Sequence, residues 1–248
     1  MRILVINPNT TASMTAKIGA AAQRAALAGT EIVAVNPPDG PASIEGYYDE
    51  ALSVPGLISQ VKQHPGADGI VIACFDDTGL DAVRTMSDVP VIGIGEAAFH
   101  TASFLANKFS VVTTLSRSVP AIEHNLVRYG LAARCARVRA TEIPVLDLED
   151  DGPGVQARIG VEIALAIKDD GAEAIVLGCA GMTDLTDALA AEYGLPVLDG
   201  VACAIALCQS LAQLGLKTSS LGGYAPPAAK TYAGNLSGLA PENAGRDA

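Results

Sequence analysis

The chain has no tryptophan, 4% aromatic residues, 17% charged residues and three histidines in 248 positions. Each shortage excludes something. His64, His100 and His124 fall in no H-E-x-x-H or similar spacing, so no metal site is expected. The five cysteines are odd in number and form no C-x-x-C pair, which argues against a disulfide framework. No apolar stretch reaches the roughly 20 residues that a membrane span requires. The opening Met1-Arg2-Ile3-Leu4-Val5-Ile6-Asn7-Pro8 carries one basic residue and too short an apolar run for a signal peptide, so a cytoplasmic location is expected. Basic residues number 16 against 27 acidic, a formal net charge of -11. Such a surface repels phosphate backbones and anionic membranes, so neither nucleic acid nor membrane is an expected partner. There is no G-x-x-x-x-G-K-[ST] and no G-x-S-x-G. Gly93-Ile94-Gly95-Glu96-Ala97-Ala98 matches G-x-G-x-x-A, but the next strand ends in Val112-Thr113-Thr114 where a dinucleotide site needs an acid. No cofactor is expected.

What remains is a chain that is half hydrophobic, rich in Ala, Val, Ile and Leu. Short apolar runs alternate with helical patterns. Strands are predicted over 2–6, 31–36, 69–74, 90–94, 109–113, 137–143, 173–178 and 196–199. Helices are predicted over 13–28, 53–63, 80–86, 96–107, 118–130, 155–169, 183–192 and 200–214. Ile70-Val71-Ile72-Ala73 and Ala174-Ile175-Val176-Leu177 are apolar at every position, the mark of strands buried on both faces of a parallel α/β sheet. Ser53 and Ser118 each precede Val-Pro and read as helix N-caps. Gly130 and Gly215 read as helix stops.

The chain also repeats itself. Gly66-Ala67-Asp68-Gly69-Ile70-Val71-Ile72-Ala73-Cys74 reappears as Gly171-Ala172-Glu173-Ala174-Ile175-Val176-Leu177-Gly178-Cys179, with five positions identical. Val89-Pro90-Val91-Ile92 pairs with Leu195-Pro196-Val197-Leu198, and Ile3–Asn7 with Phe109–Thr113, both at an offset of 106. Three strands in one order at near-constant spacing point to two halves, 1–100 and 101–205. A helix from about 200 crosses back, so the first half also takes in about 206–230. A tail over 235–248 has little apolar periodicity and is expected to fray.

In open parallel sheets ligands bind beyond the carboxyl ends of the strands. Cys74 and Cys179 stand there at equivalent places. A free cysteine often only fills space, the reading kept for Cys135, Cys203 and Cys208. The repeated placement instead suggests two acid–base groups, and nearby helix starts are expected to lower the thiol pKa values. Two thiols suit proton abstraction next to a carbonyl, one as thiolate base and the other as acid. The N–H groups of Phe75, Asp76, Ala180 and Gly181 are candidate donors to the developing oxyanion. The small Gly178, Ala180 and Gly181 let a substrate approach the backbone. Asn9, Thr113, Thr114, Ser116 and Ser118 offer neutral hydrogen bonds, or serve turns and caps. Glu96 either orients a ligand or sits in a first helical turn. Asp76-Asp77 is a weak metal pair. The run 41–48, with Ser43, Ile44 and two tyrosines, is either a flap over the site or a surface loop.

Taken together, Ile6-Asn7-Pro8-Asn9-Thr10, Pro41-Ala42-Ser43-Ile44-Glu45-Gly46, Ala73-Cys74-Phe75-Asp76-Asp77, Val112-Thr113-Thr114 with Arg117-Ser118-Val119-Pro120, and Leu177-Gly178-Cys179-Ala180-Gly181-Met182 resemble the hydantoin racemase branch of the aspartate/glutamate racemase superfamily. The match runs over about 1–220. The resemblance implies two α/β lobes, each a parallel four-stranded sheet flanked by helices, related by a pseudo-twofold axis with the site between them. It implies a cofactor-independent racemase acting through Cys74 and Cys179, often a homo-oligomer. Substrate contacts are expected from Asn9, Ser43, Ile44, Phe75, Asp76, Thr113, Thr114, Ser118, Gly178, Ala180 and Gly181.

Related arylmalonate decarboxylases keep only the cysteine equivalent to Cys179, so the presence of both favours racemisation. Amino-acid racemases carry other polar residues after the first cysteine. A 5-monosubstituted hydantoin fits, because its C5 carbanion is delocalised as an enolate. Allantoin, a 5-ureido hydantoin of purine catabolism, fits the same chemistry. A decarboxylase or isomerase of the superfamily, or a non-catalytic small-molecule binding protein, are the remaining alternatives.

Overall fold

A computed structural model describes residues 1–149 and 153–241. Strands and helices alternate: β1 (Arg2–Ile6), α1 (Ala12–Ala25), β2 (Glu31–Val35), α2 (Tyr47–Gln63), β3 (Gly69–Ile72), α3 (Leu80–Met86), β4 (Val91–Gly93) and α4 (Ile94–Leu105). The second series is β5 (Phe109–Thr113), α5 (Val119–Arg128), β6 (Cys135–Ala140), α6 (Pro153–Asp170), β7 (Ala174–Gly178), α7 (Thr186–Tyr193), β8 (Val197–Asp199) and α8 (Gly200–Gln213). They form two parallel four-stranded sheets of order β2-β1-β3-β4 and β6-β5-β7-β8. The second order is the first with every number raised by four, so the repeat in sequence is a repeat in topology. The expected α/β class with two four-stranded sheets is what the chain adopts.

Burial follows strand position. The central β3 and β7 are buried at every residue. The edge strands β2 and β6 are half exposed, and β6 carries Arg137 and Arg139. Charges on an edge discourage pairing with another chain. Each sheet has its own outer core, built on Leu4, Ile6, Ile70 and Ile72 in one and on Val112, Ile175 and Leu177 in the other. The inner faces share a third core with α1, α4 and α8. There α4 packs on β7 of the opposite sheet, and α8 on β3 and β4. Gly69 makes that crossing possible, since a Cβ on it would lie 2.3 Å from the buried Cys208 Sγ. Three of the four phenylalanines meet in this junction. Phe75 and Phe99 have ring centroids 5.3 Å apart edge to face, and Phe99 stacks on Phe109 at 6.1 Å.

Several expectations about boundaries fail for physical reasons. Helix α2 begins at Tyr47, not Ser53, because Gly46 takes φ +132 and turns the chain into it. Ser53 is therefore buried inside the helix, its Oγ donating to the Glu50 carbonyl, and Pro55 is an interior proline. Ser118 does stand at the N-cap position of α5 with Pro120 in the first turn, as expected, but its side chain does not cap the helix. The residue ends a 3-10 turn (Ser116–Ser118) in helical conformation and makes no capping bond. Strand β6 starts two residues before the expected 137 and ends at Ala140. Gly130 and Gly215 do sit at helix ends with φ +75 and +68. Of the tail over 235–248, residues 242–248 lie outside the described residues. Before them, Lys62 Nζ donates to the carbonyls of Gly238 and Ala240.

Candidate active site

The parallel register aligns the strand ends. Ile6 pairs with Ile72, and Thr113 with Gly178, so Asn7 falls beside Ala73 and Thr114 beside Cys179. The Ala73 N–H continues the ladder by donating to the Ile6 carbonyl at 2.8 Å. Both thiols thereby reach one cavity, which holds about 430 Å³ of space unfilled by atoms and is partly open to solvent. Its walls include Asn9, Ile44, Phe75, Asp76, Thr113, Thr114, Ser118, Gly178 and Ala180 of the expected contacts. Ser43 and Gly181 stand outside those walls. Asn7, Met14, Ala73 and Val145 line the cavity although sequence reasoning did not single them out. Asn7 and Ala73 belong to the strand-end tracts already noted. Met14, one turn into α1, and Val145, in a 3-10 turn (Val145–Glu149), carry no motif.

Three polar wall residues have traceable partners. Asn7 Nδ2 donates to Asn9 Oδ1 at 2.8 Å and to Thr15 Oγ1 at 3.0 Å, and Asn9 Oδ1 also accepts from the Thr11 N–H. This ties the loop after β1 to α1. Thr113 Oγ1 donates to the Gly178 carbonyl at 3.0 Å. The Thr114 and Ser118 hydroxyls have no hydrogen bond to a described residue while lining the cavity, so they are open to a ligand. Ile44 and Val145 close the cavity from opposite halves, and the Val145 N–H donates to Glu45 Oε1 at 2.9 Å. The tyrosines of the 41–48 run point elsewhere. Both are exposed, and Tyr47 Oη contacts His124 Nδ1 at 3.2 Å.

The two thiols differ from what their position in the sequence suggested. Helix α3 starts six residues after Cys74, too far for its dipole to act, and Cys179 leads into a 3-10 turn (Ala180–Leu185). Burial dominates instead, with the carboxyl of Asp76 adding to it. Together they push Cys179 up to about 11 and Cys74 up further, reversing the expected depression. The N–H of Gly181 on Cys179, and Thr78 Oγ1 at 3.3 Å with the N–H of Asp76 on Cys74, pull the other way. A thiolate formed in such surroundings is a stronger base than one in water.

The acidic pair after Cys74 divides its roles. Asp77, at φ +52, accepts from the Gly95 N–H at 2.9 Å, the Glu96 N–H at 2.8 Å and Tyr129 Oη at 2.8 Å. It therefore fastens the turn to the start of α4 and to the second half. Burial still pushes it up to about 7. Gly93 and Gly95 have a structural purpose here. A Cβ on Gly93 would lie 2.1 Å from Asp77 Oδ1, and one on Gly95 2.3 Å from the Phe75 carbonyl. Glu96 pairs with Arg84 at 2.5 Å and is not a wall residue. Asp76 lines the cavity, and its backbone carbonyl accepts from Asn125 Nδ2 at 2.8 Å.

Residues 3–208 match the family model described as Asp/Glu/hydantoin racemase. A hydantoin racemase of Rhizobium meliloti is 48% identical over 237 residues, covering 95% of this chain and 98% of the relative. A hydantoin racemase of Pseudomonas sp. (strain NS671) is 46% identical and covers 100% of this chain and 98% of its own. Among solved structures, allantoin racemase from Klebsiella pneumoniae superimposes with a TM-score of 0.94 at 45% identity, over 98% of this chain and 100% of that one.

Proposed function

The chain belongs to the Asp/Glu/hydantoin racemase family and is an isomerase; from that premise we propose that it inverts C5 of 5-monosubstituted hydantoins through Cys74 and Cys179 without a cofactor. One thiolate removes the C5 proton, and the opposing thiol delivers its own to the other face. The roles are exchanged at the end of a turnover, and an enantiomer of opposite hand runs the cycle in reverse. The observation that carries the reading is that both cysteines reach one cavity from equivalent strand ends. The enolate oxygen needs donors, for which the Thr114 and Ser118 hydroxyls and the backbone N–H groups after each cysteine are candidates. Thr113, Asn9, Ile44 and the small Gly178 and Ala180 would shape the place of the ring.

Allantoin racemisation is the second reading. It is favoured by the overlap with the Klebsiella pneumoniae enzyme, and allantoin is itself a hydantoin with a hydrogen on C5. A cytoplasmic location, a homo-oligomeric state and a first lobe of 1–100 with about 206–230 against a second of 101–205 belong to the same proposal. The packing of α8 on β3 and β4 supports that division.

The test follows optical rotation and solvent-deuterium exchange at C5 for 5-benzylhydantoin, 5-isopropylhydantoin and allantoin. Cys74→Ser and Cys179→Ser should each lower racemisation by at least about 10³-fold. Each variant should retain exchange of at most one enantiomer. Racemisation at the parent rate in both variants would remove the two-thiol mechanism. Binding without exchange in the parent protein would make it a non-catalytic binding protein, and carbon dioxide release from an arylmalonate would make it a decarboxylase.

A further inference from the structure

Asp76 lines the cavity on the first half's side, and two further carboxyl groups, Asp77 and Glu50, act on it electrostatically. Asp77 has three hydrogen-bond donors. The other two have none. Glu50, in the first turn of α2, buries its Oε1 without a partner among the described residues. Asp76 lines the thiol cavity, and its carboxyl takes no hydrogen bond from a described residue. No described Lys or Arg forms an ion pair with either. Arg84 is engaged with Glu96, and Arg128 with Asp81. Glu50 lies near enough to raise Asp76, and two coupled carboxyls without a cation or donors do not both ionise readily, so together they hold a proton.

We propose that Glu50 is a positioning residue that keeps a proton on the Glu50–Asp76 pair, so that Asp76 meets the substrate as a neutral acid and donates its O–H to the carbonyl oxygen on which the enolate charge gathers. This rests on the reading of the protein as a hydantoin-type racemase. Burial first, then Glu50, then Asp77 push Asp76 up to about 8, and burial also raises Glu50. The neutral form matters twice. It supplies a donor where negative charge develops in a dry site. It also spares the thiols a fixed negative neighbour, since an ionised Asp76 opposes the thiolate of both Cys74 and Cys179. The other titratable groups around the pair are Asp77 and Cys74 on its own turn, Cys179 from the second half, Glu45 from the segment before α2, and Lys17 from α1. Arg117 lies against Gly46.

The experiment has a readout that needs no substrate. Infrared difference spectra at neutral pH should show a protonated carboxyl band in the parent, to which Asp77 also contributes, and Asp76→Asn and Glu50→Gln should each weaken it. With 5-benzylhydantoin, Asp76→Asn, which keeps a neutral donor, should hold kcat/KM within about tenfold of the parent, while Asp76→Ala loses about 10²–10³-fold. Glu50→Gln should move the alkaline limb of kcat/KM to lower pH, because Asp76 then releases its proton sooner. That movement should vanish when Asp76→Asn is already present. The proposal falls if Asp76→Asn is as damaged as Asp76→Ala, if the band is missing from the parent or not weakened by Asp76→Asn, or if Glu50→Gln moves the limb equally in the Asp76→Asn background. Should Asp76→Ala fail to fold, as thermal unfolding would reveal, Asp76→Asn and Glu50→Gln decide alone. A parent protein that racemises no hydantoin would overturn the functional reading instead, and the infrared band would still report the state of the pair.

Discussion

Cys74 and Cys179 end equivalent strands, yet three of the four residues that follow each of them differ in charge, size and hydrogen bonding. After Cys74 come Phe75, Asp76, Asp77 and Thr78; after Cys179 come Ala180, Gly181, Met182 and Thr183. The first half places a bulky ring and two carboxyls between its thiol and the threonine that both turns share. The second places small and apolar residues there, and the Gly181 N–H does the bonding to sulfur. A reaction that runs in both directions asks for two acid–base groups at matched positions, and the shared strand order provides that match. The substrate is not symmetric, and neither are the turns. Cys74 is raised further than Cys179, by burial first and then by the carboxyl beside it once that ionises, so Cys179 is the easier thiol to ionise and Cys74 the better proton keeper.

The largest measurable consequence is a difference in thiol reactivity. Both groups are raised by burial, so their thiolate fractions are small at neutral pH and grow with every unit of pH toward about 11 for Cys179. Cys74 is raised further, partly by Asp76 beside it. Iodoacetamide labelling read by mass spectrometry should therefore modify Cys179 about tenfold faster than Cys74, because higher nucleophilicity offsets only part of the lower thiolate fraction. Neither rate should level off below pH 10. A plateau near pH 7 would mean that the thiols are activated by dipoles after all. Equal rates would mean that the charge difference between the turns does not reach the sulfurs.

The next difference concerns the residue before each cysteine, Ala73 in one half and Gly178 in the other. A Cβ on Gly178 would lie 2.8 Å from Thr113 Cβ and 2.9 Å from Thr113 Cα, a collision that involves backbone. Gly178→Ala should cost about 1–3 kcal/mol in denaturant unfolding. It should also lower kcat by up to about 10²-fold, since the strand end that carries Cys179 has to move. The reciprocal Ala73→Gly creates no clash and should cost only about 0.5–1 kcal/mol. Equal costs at the two positions would break the contrast.

These asymmetries show what the sequence made legible and what it did not. The strands were readable because Ile70–Ala73 and Ala174–Leu177 are apolar throughout, which only burial on both faces explains. The thiols were readable because one nonapeptide occurs twice. Helix α2 was misplaced by six residues because Val54-Pro55 looks like a first turn, whereas the start is set by the backbone at Gly46. Ser118 looked like a cap for the same reason, and its freedom from capping is what leaves its hydroxyl in the cavity wall. The thiol acidity was misjudged because desolvation depends on what covers a strand end. Here the covering residues Ile44 and Val145 come from segments distant in the chain. Glu50 gave no local signal at all, since its meaning lies in lacking a partner.

The smallest contrast is carried by a threonine four residues after each cysteine. Thr78 Oγ1 lies 3.3 Å from Cys74 Sγ. Its counterpart Thr183 buries Oγ1 with no hydrogen-bond partner among the described residues. The same substitution should therefore act in opposite directions. Thr78→Val removes a bond to sulfur and should destabilise by about 1 kcal/mol. It should also slow labelling of Cys74, because a bond that favours the thiolate is gone. Thr183→Val replaces an unsatisfied hydroxyl by a methyl of similar volume and should stabilise by about 1 kcal/mol, raising Tm by about 2–4 °C in a chain of this size. Loss of stability in Thr183→Val would mean that this hydroxyl is bonded after all. The two turns would then be alike at this position, and their difference would rest on Asp76 against Gly181 alone.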